Sequence, residues 1–522
     1  MLQRVYAWSG SVDSRVLSRL SLCPVGGMFM DKRIRFRLNE TLYDLEPGRE
    51  QLALDWIRNV AGLKGTKEGC REGDCGACLV LMGNPASDGE PLPEWYSATS
   101  CTLALSDLDG RHVITIEGLA TAGLTPVMKA LLEEGASQCG FCSPGFVLAL
   151  TGALVSGLHV DPVGIVSAIE GNLCRCTGYG SIRRAAARLA AEFADLPAAL
   201  PERLALLAER GVLPPSLAAL MTELPAAHGV YGVHGSGQLA PAEGSVTIGG
   251  GTDFFVRNPD PEPELQLQLV SRSEDSRHIR QLSGTDGRWL ELGAGVTMTD
   301  FFASSEVRAI APGIERFMQD IASPPIRNRA TLAGNIANAS PIADMTTMLI
   351  ALGARLVLAS PALPEAPRAA SVREVDLCDF FLAYKKTGMR PEEYIAALRI
   401  PLGAVLFNFE KAARRARLDI ASANSAIAVS MADDGCIKTV RVSAGGIAAV
   451  PLRLTVVEQL LLGQRPDAAL IRRAGSLAAA AGTPMSDVRG SAEYRRKLME
   501  RFMWAHAVRL WPALKLEEEL FA

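Results

Sequence analysis

Residues 70–78 read Cys70-Arg71-Glu72-Gly73-Asp74-Cys75-Gly76-Ala77-Cys78, and a fourth cysteine, Cys101, follows after a strand-like stretch. The C-x4-C-x2-C…C spacing is that of a loop wrapped around a 2Fe–2S cluster. Such a cluster is a compact, net-negative object that needs four thiolates. Gly73 and Gly76 let the backbone close around it and turn N–H groups toward sulfur. Zinc is the rival, but zinc sites pair a C-x2-4-C knuckle with a second knuckle. Cys70, Cys75, Cys78 and Cys101 are therefore read as ligands of one 2Fe–2S cluster in a ferredoxin-like domain.

A second set lies downstream. Gln138-Cys139-Gly140-Phe141-Cys142 is followed by Asn172-Leu173-Cys174-Arg175-Cys176-Thr177-Gly178-Tyr179. The C-x2-C precedes one predicted helix and the C-x-C follows another, so nearby amide dipoles favour thiolate charge. On spacing alone zinc is a fair rival for Cys139, Cys142, Cys174 and Cys176. Eight of eleven cysteines are thus clustered, which favours metal over disulfides in a cytoplasmic chain.

Around these loops the periodicity changes several times. Ile34, Phe36 and Leu38 alternate with Arg33, Arg35 and Arg37, predicting a half-buried strand with a hairpin partner in ETLYDLE, then a helix over Gln51–Val60. Thr125-Pro126, Ser143-Pro144 and Asp161-Pro162 read as helix starts, and SIRRAAARLAAEFA as a fourth helix. Residues 196–243 are rich in Pro, Ala and Gly and read as a linker draped over a surface. Later segments alternate strands and helices, then strands before helices.

The expected architecture is multidomain α+β. It comprises an N-terminal extension (1–28), a ferredoxin-like β-grasp domain (29–115), a four-helix 2Fe–2S bundle (116–195), the linker (196–243), an α/β FAD-binding domain (244–405) and a C-terminal α+β domain (406–522). At 522 residues with 48% hydrophobic and 21% charged content, several packed domains are expected. The net charge of −4 supplies no basic field for nucleic acid. No apolar run of membrane-spanning length is present, so no membrane span is expected. The six histidines are scattered and suggest no metal site.

TIGGGTDFFV at 247–256 places three bare glycines after a strand, where backbone N–H groups can cradle a diphosphate. The nearest dinucleotide fingerprint, Gly235-Ser236-Gly237-Gln238-Leu239-Ala240, lies in linker-like sequence with no helix behind it and is rejected.

Taken together, QCGFCSPG, GNLCRCTGY and the GGGTD loop paired with Thr331-Leu332-Ala333-Gly334-Asn335 resemble the iron–sulfur and flavin portion of the molybdenum hydroxylases, the xanthine dehydrogenase family. The resemblance runs from about residue 30 to 520. It implies two 2Fe–2S clusters and FAD. Thr247, Ile248, Gly249, Gly250, Gly251, Thr252, Asp253 and Phe254 would hold the diphosphate and adenine side. Ile321, Ala322, Thr331, Gly334, Asn335, Asn338 and Asp344 would hold the rest, with Lys411 near the flavin ring. Glu72 and Gly73 would approach the flavin from the first cluster, while Gln138 and Cys176 would face the pterin.

The implied activity is relay. A molybdopterin-binding large subunit would hydroxylate xanthine, another N-heterocycle such as nicotinate, or an aldehyde. This chain would pass the electrons to NAD or another acceptor within a hetero-oligomer. A freestanding electron carrier or scaffold is the alternative from a different class. One departure stands out. Many relatives carry an acidic run after the lysine matched by Lys411. Here AARRARLDIA supplies Arg414, Arg415 and Arg417, which turns the expectation toward an acceptor other than NAD.

Overall fold

The computed structural model describes residues 33–46, 51–85, 92–157, 160, 161, 163–228, 245–262, 265–273, 276–284, 287–360 and 371–521. The expected extension at 1–28 and the rejected glycine fingerprint at 235–240 lie outside the described residues. No helix among the described residues is long and apolar enough to cross a membrane.

The alternation at Ile34–Leu38 does what it predicts. Ile34, Phe36 and Leu38 are buried and the arginines between them are not. Arg33 and Arg35 both grip Asp44 on the antiparallel partner strand Thr41–Leu45. The same central strand runs parallel to His112–Ile114, and the sheet continues through Leu79–Asn84 to Glu94–Thr99. Across it lies the predicted helix, realised as Ala53–Asp55 and a π-helical turn, Trp56–Val60. Trp56 meets Phe36 and Tyr43 edge-on in the core.

The bundle helices start where the caps put them. Thr125 accepts from the Met128 amide ahead of Pro126–Glu133. Asp161 accepts from the amides of Val163 and Gly164, opening Gly164–Ala168. Ser143–Ser156 begins directly after Cys142, and Gly180–Glu192 directly after Tyr179.

The linker reading of residues 196–243 needs correction. Its first half forms helices Leu200–Glu209 and Pro215–Leu220, and Leu204, Leu207, Leu213, Leu217 and Met221 join the bundle core. Each such buried side chain contributes about 1.5–3 kcal/mol, enough to hold a segment that composition alone reads as loose. The Trp95 indole N–H, from the first sheet, donates to the Met221 carbonyl and ties the two domains together.

In the flavin region Ser245–Ile248 pairs in parallel with Gln266–Leu269. The larger sheet is antiparallel, ordered Ser371–Asp376, Arg355–Ser360, Tyr394–Pro401, Gly287–Gly293, Ile279–Gly284. Helices Met298–Ala303, Ser305–Ile310, Leu332–Ala337 and Asp344–Ala351 pack in this domain. The C-terminal domain is strands then helices, as read. A four-stranded antiparallel sheet (Leu406–Ala412, Ala423–Met431, Ile437–Gly445, Leu452–Arg453) is backed by Ala468–Ala480 and Ala492–Leu510.

Candidate iron–sulfur and flavin sites

The first cysteine loop turns on three residues with positive φ: Arg71 (58°), Gly73 (78°) and Gly76 (67°). That curl brings the amides of Glu72 and Cys75 within 3.3 Å of Cys70 Sγ. Cys78 and Cys101 are buried at 2% and 1% exposure, while Cys70 and Cys75 are partly exposed. The thiols lie in two pairs. A hydrogen bond from the Cys75 thiol, helped by the loop amides, holds Cys70 below the usual thiol range and Cys75 correspondingly above it. Cys78 and Cys101 divide in the same way, with Cys78 the lowered member.

The second set repeats the pairing. Cys176 Sγ lies 3.6 Å from Cys139 Sγ, and both are exposed. Cys142 is pushed up to about 12, first by burial and then by the adjacent Cys174. The Thr177 hydroxyl donates to Cys174 Sγ at 3.2 Å, and the Cys174 amide donates to the Tyr179 hydroxyl at 3.0 Å.

Pairing distinguishes the candidate metals. A zinc ion needs its donors around one point, whereas a two-iron cluster takes two thiolates at each iron. Both donor sets fit a 2Fe–2S cluster.

The glycine loop leaves strand Ser245–Ile248, where the Thr247 hydroxyl reaches Gln268 at 3.5 Å. It presses onto residues 329–334. A Cβ on Gly249 would lie 2.4 Å from Thr331 Oγ1, and one on Gly250 only 1.7 Å from the Arg329 carbonyl oxygen. Thr331 caps Leu332–Ala337 by accepting from the Gly334 amide. Beyond the loop, after Thr252, Asp253 accepts from Asn338 at 2.9 Å and pairs with Arg257 at 2.8 Å; Phe254 packs edge-on against Phe255. Arg257 also donates to Asn338, and Lys385 donates to both Asn338 oxygens at 2.8 Å. Burial and then Arg257 hold Lys385 below the ordinary lysine range, a strain that an added anion would relieve. The donor set therefore fits a dinucleotide diphosphate.

Farther along, Asn335 accepts from Thr346, Ile321 is buried, and Ala322 has a φ of 46°. Asp344 pairs with Lys411 at 2.6 Å and accepts from Asn424 at 2.6 Å, joining the two flavin-side domains. Burial raises Asp344 despite the lysine beside it.

Residues 115–187 match the family described as [2Fe-2S] binding domain. Residues 242–403 match FAD binding domain in molybdopterin dehydrogenase, and residues 408–506 match CO dehydrogenase flavoprotein C-terminal domain. Xanthine dehydrogenase of Emericella nidulans is 27% identical over 91% of this chain and 38% of its own length. That of Dictyostelium discoideum is 27% identical over 91% of this chain and 40% of its own length. The chain thus spans less than half the length of these curated relatives. A solved structure of CO dehydrogenase from Oligotropha carboxidovorans is 28% identical, covering 51% of this chain and 90% of that one, with a TM-score of 0.45. The chain is similar to xanthine dehydrogenases along most of its length.

The seams between the sites are built mainly by residues that motif reading missed. The Leu173 amide donates to the Cys75 carbonyl at 2.9 Å, and Asn172 donates to the Gly76 carbonyl at 3.2 Å. One cysteine loop is thereby hydrogen-bonded to the other. Toward the flavin domain, a Cβ on Gly73 would lie 2.8 Å from Ile326, while Glu72 stays exposed. The buried Arg329 guanidinium donates to Thr102 O at 2.8 Å, next to Cys101, and to Gly250 O at 2.7 Å. The signal available for Arg329 was the second of two arginines, after Arg327, just ahead of the Thr331 motif; Asn172 was visible only as a motif letter.

Proposed function

We propose that this chain is the electron-relay part of a molybdenum hydroxylase, holding two 2Fe–2S clusters and FAD. When bound, these groups carry single electrons and couple them to two-electron chemistry. Cys139, Cys142, Cys174 and Cys176 hold the entry cluster and Cys70, Cys75, Cys78 and Cys101 the inner one. Thr247–Phe254 and the Thr331–Asn338 segment seat the dinucleotide, with Asp344 and Lys411 at the ring end. A molybdopterin-bearing partner docks over the exposed Cys139 and Cys176, and its substrate is xanthine or a related heterocycle. The observation that carries this reading is the direct backbone hydrogen bond from Leu173 to Cys75, which joins the two cysteine loops.

Metal and flavin analysis of the native complex, with electron paramagnetic resonance of the reduced state, tests it. The expected result is two distinct 2Fe–2S signals, one FAD per chain and molybdenum on a second polypeptide or domain. Zinc at Cys139–Cys176, or a complex without flavin, would overturn it.

The arginines after Lys411 favour an acceptor other than NAD. Arg417 is held by Glu170 at 2.9 Å and Asp320 at 2.8 Å, and Arg414 and Arg415 are exposed. Stopped-flow oxidation of the reduced complex by NAD⁺ at the rate of turnover would refute this.

A further inference from the structure

Away from the cluster and flavin residues, a cavity of about 70 Å³ opens where the flavin domain meets the C-terminal domain. Arg355, Asp376 and Cys378 line it from one side, and Arg441 and Arg453 from the other. Two of the three guanidinium groups are already matched. Arg355 pairs with Asp376 across its strand at 3.0 Å, and Arg453 with Glu458 at 2.8 Å. Arg441 differs. Among the described residues its side chain makes no hydrogen bond and no ion pair, although it is only partly exposed. It lies flat on the chain at Gly353, where φ is 73° and an added Cβ would meet Nη1 at 1.7 Å. A side chain at that position would push the guanidinium out of the cavity.

We propose that this cavity is a binding site for a compact oxyanion, a phosphate dianion either free or terminating a phosphomonoester, held by Arg441 and flanked by Arg355 and Arg453. A guanidinium has five N–H donors and pairs with phosphate oxygens in a bidentate fork. The cavity is of the size of one such group, and partly exposed Cys378 shows that solvent reaches its wall. An anion there would contact strands of both domains and hold them together, since binding to the folded state alone stabilises it.

Cys378 provides a local reporter and Cys436, elsewhere on the surface of the C-terminal domain, an internal control. The holo-protein is alkylated with iodoacetamide at constant ionic strength, with chloride, inorganic phosphate or adenosine monophosphate, and both peptides are quantified by mass spectrometry. Phosphate is expected to slow Cys378 alkylation several-fold and saturably while leaving Cys436 unchanged. Protection by the nucleotide as well would identify a phosphomonoester as an acceptable ligand; protection by phosphate alone would identify the free ion. Arg441→Gln is expected to abolish protection and Arg441→Lys to retain part of it. No protection of the wild-type protein by either anion, or equal protection in Arg441→Gln, would overturn the proposal.

Discussion

The backbone amide of Leu173, one residue before Cys174, donates to the carbonyl of Cys75 across 2.9 Å, so the two cysteine loops are linked backbone to backbone. Glycines make this approach possible. A Cβ on Gly145 would fall 2.2 Å from the Gly76 carbonyl oxygen, and one on Gly76 would fall 2.4 Å from that of Gly171. Gly145→Ala is therefore expected to force the loops apart at about 1–3 kcal/mol, the usual cost of overpacking. The melting temperature should fall and the magnetic interaction between the reduced clusters should weaken, with iron content unchanged. An unaltered spectrum would show that the contact does not set the spacing.

Arg329 joins the other seam. Its guanidinium serves Thr102 O and Gly250 O at once and lies 3.6 Å from Asp107, with both side chains 3% exposed. Arg329→Gln leaves Asp107 with one fewer buried cation, and breaking a buried pair costs about 3–5 kcal/mol. Loss of flavin absorbance after gel filtration, with a lowered melting temperature, is the expected result. Arg329→Lys should not restore flavin, because an ammonium lacks the planar fork that reaches two carbonyls.

Local chemistry was legible wherever one short segment carried it. The Ile34, Phe36, Leu38 alternation and the Thr125 cap each needed only neighbouring residues, and the structure builds both as read. What escaped depends on partners far along the chain. Leu204 and Leu217 sit among prolines and alanines, and only the bundle that they cover turns them into core. Arg329 and Arg417 look like surface charges until Gly250 and Glu170 are placed beside them. Alternating strands and helices likewise do not show that the larger flavin-domain sheet is antiparallel, because pairing direction is set by connections and not by periodicity.

Glu291 gives a pH test. It is 5% exposed at its side chain and receives His278, Arg399 and Arg280 on adjoining strands, which together hold it at about 2 against 4.5 for a free glutamate. A depressed acid contributes stability above its unfolded value and loses it as pH falls toward the folded one. That interval corresponds to roughly 3 kcal/mol at about 1.4 kcal/mol per pH unit. Glu291→Gln should lower the urea midpoint at pH 7, and the gap from wild type should close between about pH 4.5 and 2. A gap that stays constant with pH would assign the effect to packing.

The two cysteine sets differ in access. Cys139 and Cys176 are exposed, whereas Cys78 and Cys101 are buried. Iron release from the isolated chain to a chelator should be biphasic, with equal amplitudes and the fast phase belonging to the second set. Cys101→Ala should remove the slow phase and halve the iron, and addition of the molybdenum partner should slow the fast phase. A single phase in the wild-type chain would contradict the assignment of the two sets.

Arg417 shows what the basic segment after Lys411 does in the structure. It reaches Glu170 of the bundle and Asp320 of the flavin domain, while Arg415 closes on Asp419 and Arg414 on the Val488 carbonyl. An acidic run at these positions would repel Glu170 and Asp320 and leave the loop free; arginine ties it to three parts of the chain. Arg417→Ala removes the longest of these ties without touching a cysteine. Trypsin should then cut after Arg414 or Arg415 several-fold faster than in the wild type, with the iron and flavin spectra unchanged. Equal cleavage rates would mean that Arg414 and Arg415 suffice to hold the loop, and that the pairs made by Arg417 are incidental to it.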